Sequence, residues 1–203
     1  MRDAFFLDPS VTHLNHGSFG AVPRVVAEQQ RRIKERADAN PQRFFRVELP
    51  GLKARARETA AIIAAPQRLA VQESEAFKEM GFGDWEGLTR DEVHARFPDA
   101  HRAWGETPAT ATWPGAETLA AVRARALQGL QALRAVHTGQ TICLVSHGIT
   151  ARLLILEALG LGPERLWTFH LSSTGISELE FREDWTTLHR MNSLIHLADH
   201  AIA

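Results

Sequence analysis

The run Thr141-Ile142-Cys143-Leu144-Val145 is continuous, apolar and of strand length, and it passes through Ser146-His147-Gly148 straight into the apolar stretch Ile149 to Leu159. A strand and a helix that are both apolar all round need cover on both sides, as in a sheet with helices on its faces. The remaining patterns agree with that layout. Val11 to Leu14 is a short β-prone run, Pro23 opens a helical stretch to about Ala39, and Phe44 to Leu49 is β-compatible. A helix over Lys53 to Ala65 ends at Pro66, and a strand is expected near Leu69 to Gln72. Thr89 followed by Glu92 is a capping box for a short helix carrying Val93 and Phe97. From Thr118, Leu119, Val122, Ala126, Leu130 and Leu133 recur at helical spacing until Gly139. Gly175 to Phe181 and Trp185 to Arg190 form a terminal hairpin. This order predicts one three-layer α/β domain over 1–203, with a mostly parallel central sheet flanked by helices.

Composition supports a single core rather than an extended or disordered chain: 203 residues carry 44% hydrophobic and 23% charged side chains. The 24 acidic and 23 basic groups nearly cancel, which gives no whole-chain field for nucleic acid or an anionic membrane. A local cationic pocket is still compatible with that balance. No stretch approaches the roughly 20 apolar residues that a spanning helix needs. The single cysteine, Cys143, lies within the apolar run and excludes an internal disulfide, and no Cys/His metal spacing occurs. These features lead us to expect a cytoplasmic protein with no metal, an inert buried thiol, and no nucleic-acid or membrane partner.

In open α/β sheets, ligands bind beyond the carboxyl ends of the strands, so polar groups at strand-to-helix junctions are the first candidates. His147 stands at such a junction with Gly148 next to it, where helix N–H groups can hold an anion. Three segments place it in a pattern. Ser146-His147-Gly148 after an apolar strand, Arg55-Ala56-Arg57-Glu58-Thr59-Ala60, and Glu79-Met80-Gly81-Phe82-Gly83-Asp84-Trp85-Glu86-Gly87 together resemble the histidine phosphatase superfamily, which includes the cofactor-dependent phosphoglycerate mutases. Trp113-Pro114-Gly115-Ala116-Glu117-Thr118 resembles the Pro-Gly-Gly-Glu-Ser segment of that family, and the resemblance runs over about residues 53 to 203.

The resemblance implies a phosphoglycerate mutase-like fold and phosphoryl transfer through a phosphohistidine, on a small phosphorylated metabolite and without a cofactor. On this mapping Arg55, His147 and Gly148 bind the phosphate, His147 serves as the second imidazole, and Glu79 is the proton donor. Glu75 and Glu86 are alternative donors, and a donor of this kind calls for a raised carboxyl pKa and a mildly acidic optimum. Phe82 and Trp85 read as core packing.

The first fifty residues depart from the family pattern. Where the family has Arg-His-Gly-Glu/Asp-Thr, with its histidine as phosphate acceptor, this chain has Leu14-Asn15-His16-Gly17-Ser18. Phe6-Leu7-Asp8-Pro9, Leu14 to Gly20, Asn40-Pro41 and Glu48-Leu49-Pro50-Gly51 instead resemble the N-terminal segment of class V aminotransferases, especially isopenicillin N epimerase-like proteins. The pyridoxal phosphate of those enzymes needs a lysine from a large downstream domain, whereas Lys34, Lys53 and Lys78 all lie early and no such domain follows. The chain thus reads as a chimera with residues 1–52 in place of the first strand, helix and strand. His16 is the acceptor if that segment ends a central strand beside His147, and a turn residue otherwise. Two functions follow: a phosphomonoester hydrolase or mutase-like phosphotransferase impaired by Asn15, or a catalytically inactive domain that binds phosphate ligands.

Overall fold

The computed structural model describes Glu28 and residues 52–200. The expected elements over 11–14, 23–39 and 44–49, and His16 with them, lie outside the described residues. Helix α1, Leu52–Ala64, matches the expected second helix. It passes into a 3-10 turn at Ala65–Gln67, where Pro66 removes a backbone donor and Arg68 takes left-handed dihedrals (φ 56°). Residues 69–72 are neither helical nor paired.

Thr89 and Glu92 form the capping box reciprocally: Thr89 N–H donates to Glu92 Oε2 at 2.8 Å, and Glu92 N–H to Thr89 Oγ1 at 3.3 Å. Helix α2 runs Arg90–Arg96 and stops one residue short of Phe97. Pro98 then opens a further helix, α3, Pro98–Glu106, that the sequence reading did not anticipate. Proline suits the first helical position, where its missing N–H would have had no partner. The long amphipathic helix α4 spans Leu119–Val136, with Thr118 Oγ1 accepting from Ala121 N–H at 3.2 Å. Helix α5 spans Gly148–Ala158 with His147 as its N-cap residue. Strands β1, Ile176–Phe181, and β2, Thr186–Ser193, pair antiparallel from Phe181 opposite Thr186 to Ile176 opposite Ser193.

This hairpin is the sheet among the described residues, and the run 141–145 lies outside any ladder there. Its expected neighbours at 11–14 and 44–49 fall outside the described residues, and a strand is defined by its partner. One expectation changes as a result. Cys143 is exposed, as are Ile142 and Leu144, rather than enclosed in a buried strand. Desolvation by nearby protein still pushes its thiol up, so the reactive thiolate is disfavoured.

The core lies between α4, α5 and the loops from 77 to 88 and 111 to 117. Met80, Trp85, Trp113, Leu119, Val122, Leu153, Leu156 and Leu166 are buried together, and Phe77, Ala126 and Leu154 form a second cluster. Trp85 and Trp113 stack with ring centroids 3.7 Å apart, so Phe82 and Trp85 pack the core as expected. Trp113 Nε1 donates to Phe82 O at 2.7 Å and Asp84 N–H to Pro114 O at 3.1 Å, which binds the two loops to each other. Gly83 makes the approach possible. It has φ 51°, and a Cβ there would overlap the backbone of Pro114 and Gly115.

Candidate active site

Helix α5 begins with backbone N–H groups that have no intrahelical acceptor, and His147 supplies no side-chain cap. Glu79 supplies it from another segment. Its Oε2 accepts from Ile149 N–H at 3.2 Å, and its Oε1 accepts from Thr150 N–H at 3.4 Å and from Met80 N–H at 3.0 Å. A carboxylate has about four lone-pair sites, and these bonds leave one on Oε2. That oxygen also lies beside Gly148, 3.8 Å from where a Cβ would stand, with Arg152 Nη1 nearer at 3.3 Å. The helix dipole favours a negative group at this end. Glu79 is thus the carboxylate beside His147, whereas Glu75 pairs with Lys78 and Glu86 accepts from Phe82 N–H in its own loop.

Two partly buried contacts fasten the junction. Ser146 Oγ donates to Phe77 O at 2.8 Å, and Thr150, fully buried, donates through Oγ1 to Lys78 O at 2.7 Å. A brace not foreseen in the sequence reading holds the same loop from α4. Arg125 donates to both oxygens of Glu117, at 2.7 and 2.9 Å, and to the carbonyls of Ala76, Lys78 and Glu79 at 2.9, 2.8 and 3.1 Å. The Arg125 guanidinium holds the Glu117 carboxyl below the usual range, and Gly81 N–H adds a further donor to it. A signal for this was present. Arg125 falls three residues after Val122 and beside Ala126, on the apolar face of α4, where a charge needs a specific partner.

Desolvation is the largest influence on His147 and lowers its pKa, Glu79 acts in the opposite direction, and Arg55 and Arg125 lower it further. Burial and the two cations therefore favour the neutral imidazole, and the Glu79 carboxylate opposes them. Arg55 is exposed on α1, and its charge is one of those that lower the His147 pKa. Arg152 is a further cation that the sequence reading missed, four residues after Gly148 on the same helical face. It donates to Gly148 O at 3.2 Å and lies over the Trp167 ring at 5.3 Å, and its buried Nε has no hydrogen-bond partner among the described residues. The structure thus places Glu79 at the helix start that His147 and Gly148 open, Arg55 is linked to it only through its charge, and His16 lies outside the described residues.

An imidazole and a carboxylate at a helix N-terminus, under the influence of nearby arginine charge, suit a phosphate ester. Comparison with known proteins agrees. The family model for the histidine phosphatase superfamily (branch 1) matches residues 28–194. Phosphoserine phosphatase 1 of Hydrogenobacter thermophilus is 29% identical over 141 residues, covering 70% of this chain and 67% of that protein. The bifunctional protein Rv2228c of Mycobacterium tuberculosis is 34% identical over 130 residues, which is 64% of this chain but only 35% of that protein. The solved structure of Bacillus stearothermophilus YhfR superposes with a TM-score of 0.67 at 26% identity, over 70% of this chain and 71% of that one. The family match begins at residue 28, upstream of the aminotransferase-like boundary at residue 52. No helix among the described residues is long and apolar enough to cross a membrane. The fold is α/β, a central sheet flanked by helices, and the chain belongs to the histidine phosphatase superfamily, branch 1.

Proposed function

We propose that the chain hydrolyses small phosphomonoesters through a phosphohistidine. The observation that carries this reading is the shared junction of His147, Glu79 and the α5 N-terminus, with the Arg55 charge within reach of the imidazole. Arg55, His147 and the Gly148 N–H hold the phosphoryl oxygens, since the Ile149 and Thr150 N–H groups are engaged by Glu79. A neutral imidazole, assigned to His16, attacks phosphorus, and the ester P–O bond breaks. The departing alkoxide takes the proton carried by Glu79, for which Oε2 keeps a lone-pair site. Water then attacks phosphorus and gives a proton to the Glu79 carboxylate, a new P–O bond forms as the P–N bond breaks, and inorganic phosphate and the free imidazole result. The relative named a phosphoserine phosphatase supports a small phosphomonoester as substrate class.

One sequence observation favours a second reading. Asn15 stands where the family has arginine next to the acceptor histidine, and losing a charge-assisted contact to the transferring group costs a few kcal/mol. On that reading the domain binds phosphorylated ligands without turning them over. A separate ancestry rests only on the motifs Phe6 to Pro9 and Leu14 to Gly20, because Asn40-Pro41 and Glu48 to Gly51 lie within residues 28–194 that the family model matches. Phosphate release from p-nitrophenyl phosphate tests the readings. Turnover that is lost in His16→Ala and in His147→Ala, with an acid-labile phosphoenzyme in the native chain, upholds the first. Turnover unchanged in His16→Ala removes that residue as acceptor. Phosphate binding with no turnover in any form establishes the second.

A further inference from the structure

We propose that His94 and His101 form a chelating site for a divalent transition-metal ion of the zinc class, away from the phosphate pocket. His94 lies in the last turn of α2 and His101 in the first half of α3, across the corner at Phe97-Pro98. Their Nδ1 atoms are 3.4 Å apart, and their ring centroids are 5.3 Å apart at an interplanar angle of 76°.

Both distances fit one geometry. Two nitrogens at roughly 2.0–2.1 Å from a tetrahedral zinc stand about 3.3–3.4 Å apart. Because an imidazole centroid lies about 1.15 Å behind its nitrogen, rings aimed at a common ion would have centroids about 5.2 Å apart. A straight N–H···N hydrogen bond at the same nitrogen separation would put the centroids about 5.7 Å apart, and it would be long for a hydrogen bond. The observed pair matches rings converging on an ion better than rings pointing at each other.

The corner fixes this arrangement before any ion arrives. Phe97 N–H donates to Val93 O at 2.8 Å and His101 N–H donates to Phe97 O at 2.9 Å, so both helices are tied through one residue. The His101 ring also lies against buried Trp85, with centroids 6.3 Å apart. Asp91, one turn before His94, and Asp99, two residues before His101, line the same surface depression, and the helical spacing of Asp91 puts it on the His94 face. Among the described residues no third histidine, cysteine or carboxylate completes the set as it stands, so water fills the remaining positions. Imidazole nitrogen with water and carboxylate suits zinc, copper or nickel rather than calcium or magnesium. This site is independent of the phosphatase reading.

The test is a zinc titration of the untagged full chain by calorimetry, repeated with cobalt, whose visible absorption reports tetrahedral nitrogen coordination. The expected result is one equivalent of zinc, at least a tenfold loss of affinity in His94→Ala and in His101→Gln, and no cobalt band in the double variant. His94 is exposed in a helix, where alanine is well tolerated, and circular dichroism verifies that each variant is folded. Absence of zinc uptake by the native chain would overturn the proposal. So would uptake that survives intact in the double variant, since the ion would then be bound elsewhere.

Discussion

Glu79 combines two duties in one side chain, and a single substitution separates them. Glutamine keeps an oxygen for the α5 N–H groups but cannot shuttle a proton, so Glu79→Gln is expected to lower kcat by about 10²- to 10⁴-fold with little change in KM. Steady-state kinetics checks this, and an unchanged kcat would assign the proton to another group. His147 gives a second expectation at this scale. Its pKa is lowered on folding, so between that lowered value and the unfolded value of about 6.5 the unfolded chain binds more protons. Its contribution to stability is therefore complete above about pH 6.5 and is lost as the pH falls through the folded pKa. Thermal melts should show Tm dropping from pH 7 to pH 5, with a shallower drop in His147→Asn. Half-buried His196 shifts in the same direction and accounts for part of the remaining slope.

Among the elements, the two loops that carry the site depend on one close backbone crossing. Gly83→Ala adds a left-handed strain and an overlap with backbone atoms of Pro114 and Gly115, which cannot swing aside as a side chain would. A loss of about 3 kcal/mol or more is expected from the two effects together. Gly87 is the internal control, because its φ of 77° is also left-handed but a Cβ there meets nothing within 4 Å, so Gly87→Ala should cost only about 1–2 kcal/mol. Urea denaturation of both variants measures the difference, and equal losses would refute the crossing as the cause. The elements differ in how far sequence reveals them. Helices α1, α2, α4 and α5 and the terminal hairpin were legible because capping residues, apolar periodicity and turn residues are local signals. Helix α3 was missed because Pro98 reads as a stop when it is in fact a start. At the site, the His147 junction was legible from the apolar strand-to-helix run. The capping of α5 by Glu79 was not, because it joins groups 70 residues apart. The Arg125 brace joins segments 46 to 49 residues apart and was hidden for the same reason, although its place on an apolar helix face hinted at it.

For the whole molecule, the near cancellation of charge makes the local pocket measurable. A net charge of -1 leaves little long-range self-repulsion for salt to screen, so ordinary salt should change stability only slightly. Inorganic phosphate is different if Arg55, His147 and the α5 N-terminus hold it in the folded state, since a ligand that binds only the native chain adds RT ln(1 + [L]/Kd). At a hundredfold excess over Kd this is about 2.7 kcal/mol. For a chain of this size that corresponds to a rise in Tm of roughly 5–11 °C. Sodium chloride at matched ionic strength should reproduce little of that rise, and Arg55→Ala should remove most of it while leaving the chloride response as it was. This comparison separates binding from turnover, because a domain that has lost catalysis through Asn15 would still show the full phosphate effect. If chloride gave the same shift as phosphate, screening of the whole surface would explain it, and the pocket assembled from α1, the Glu79 loop and α5 would not be a phosphate site.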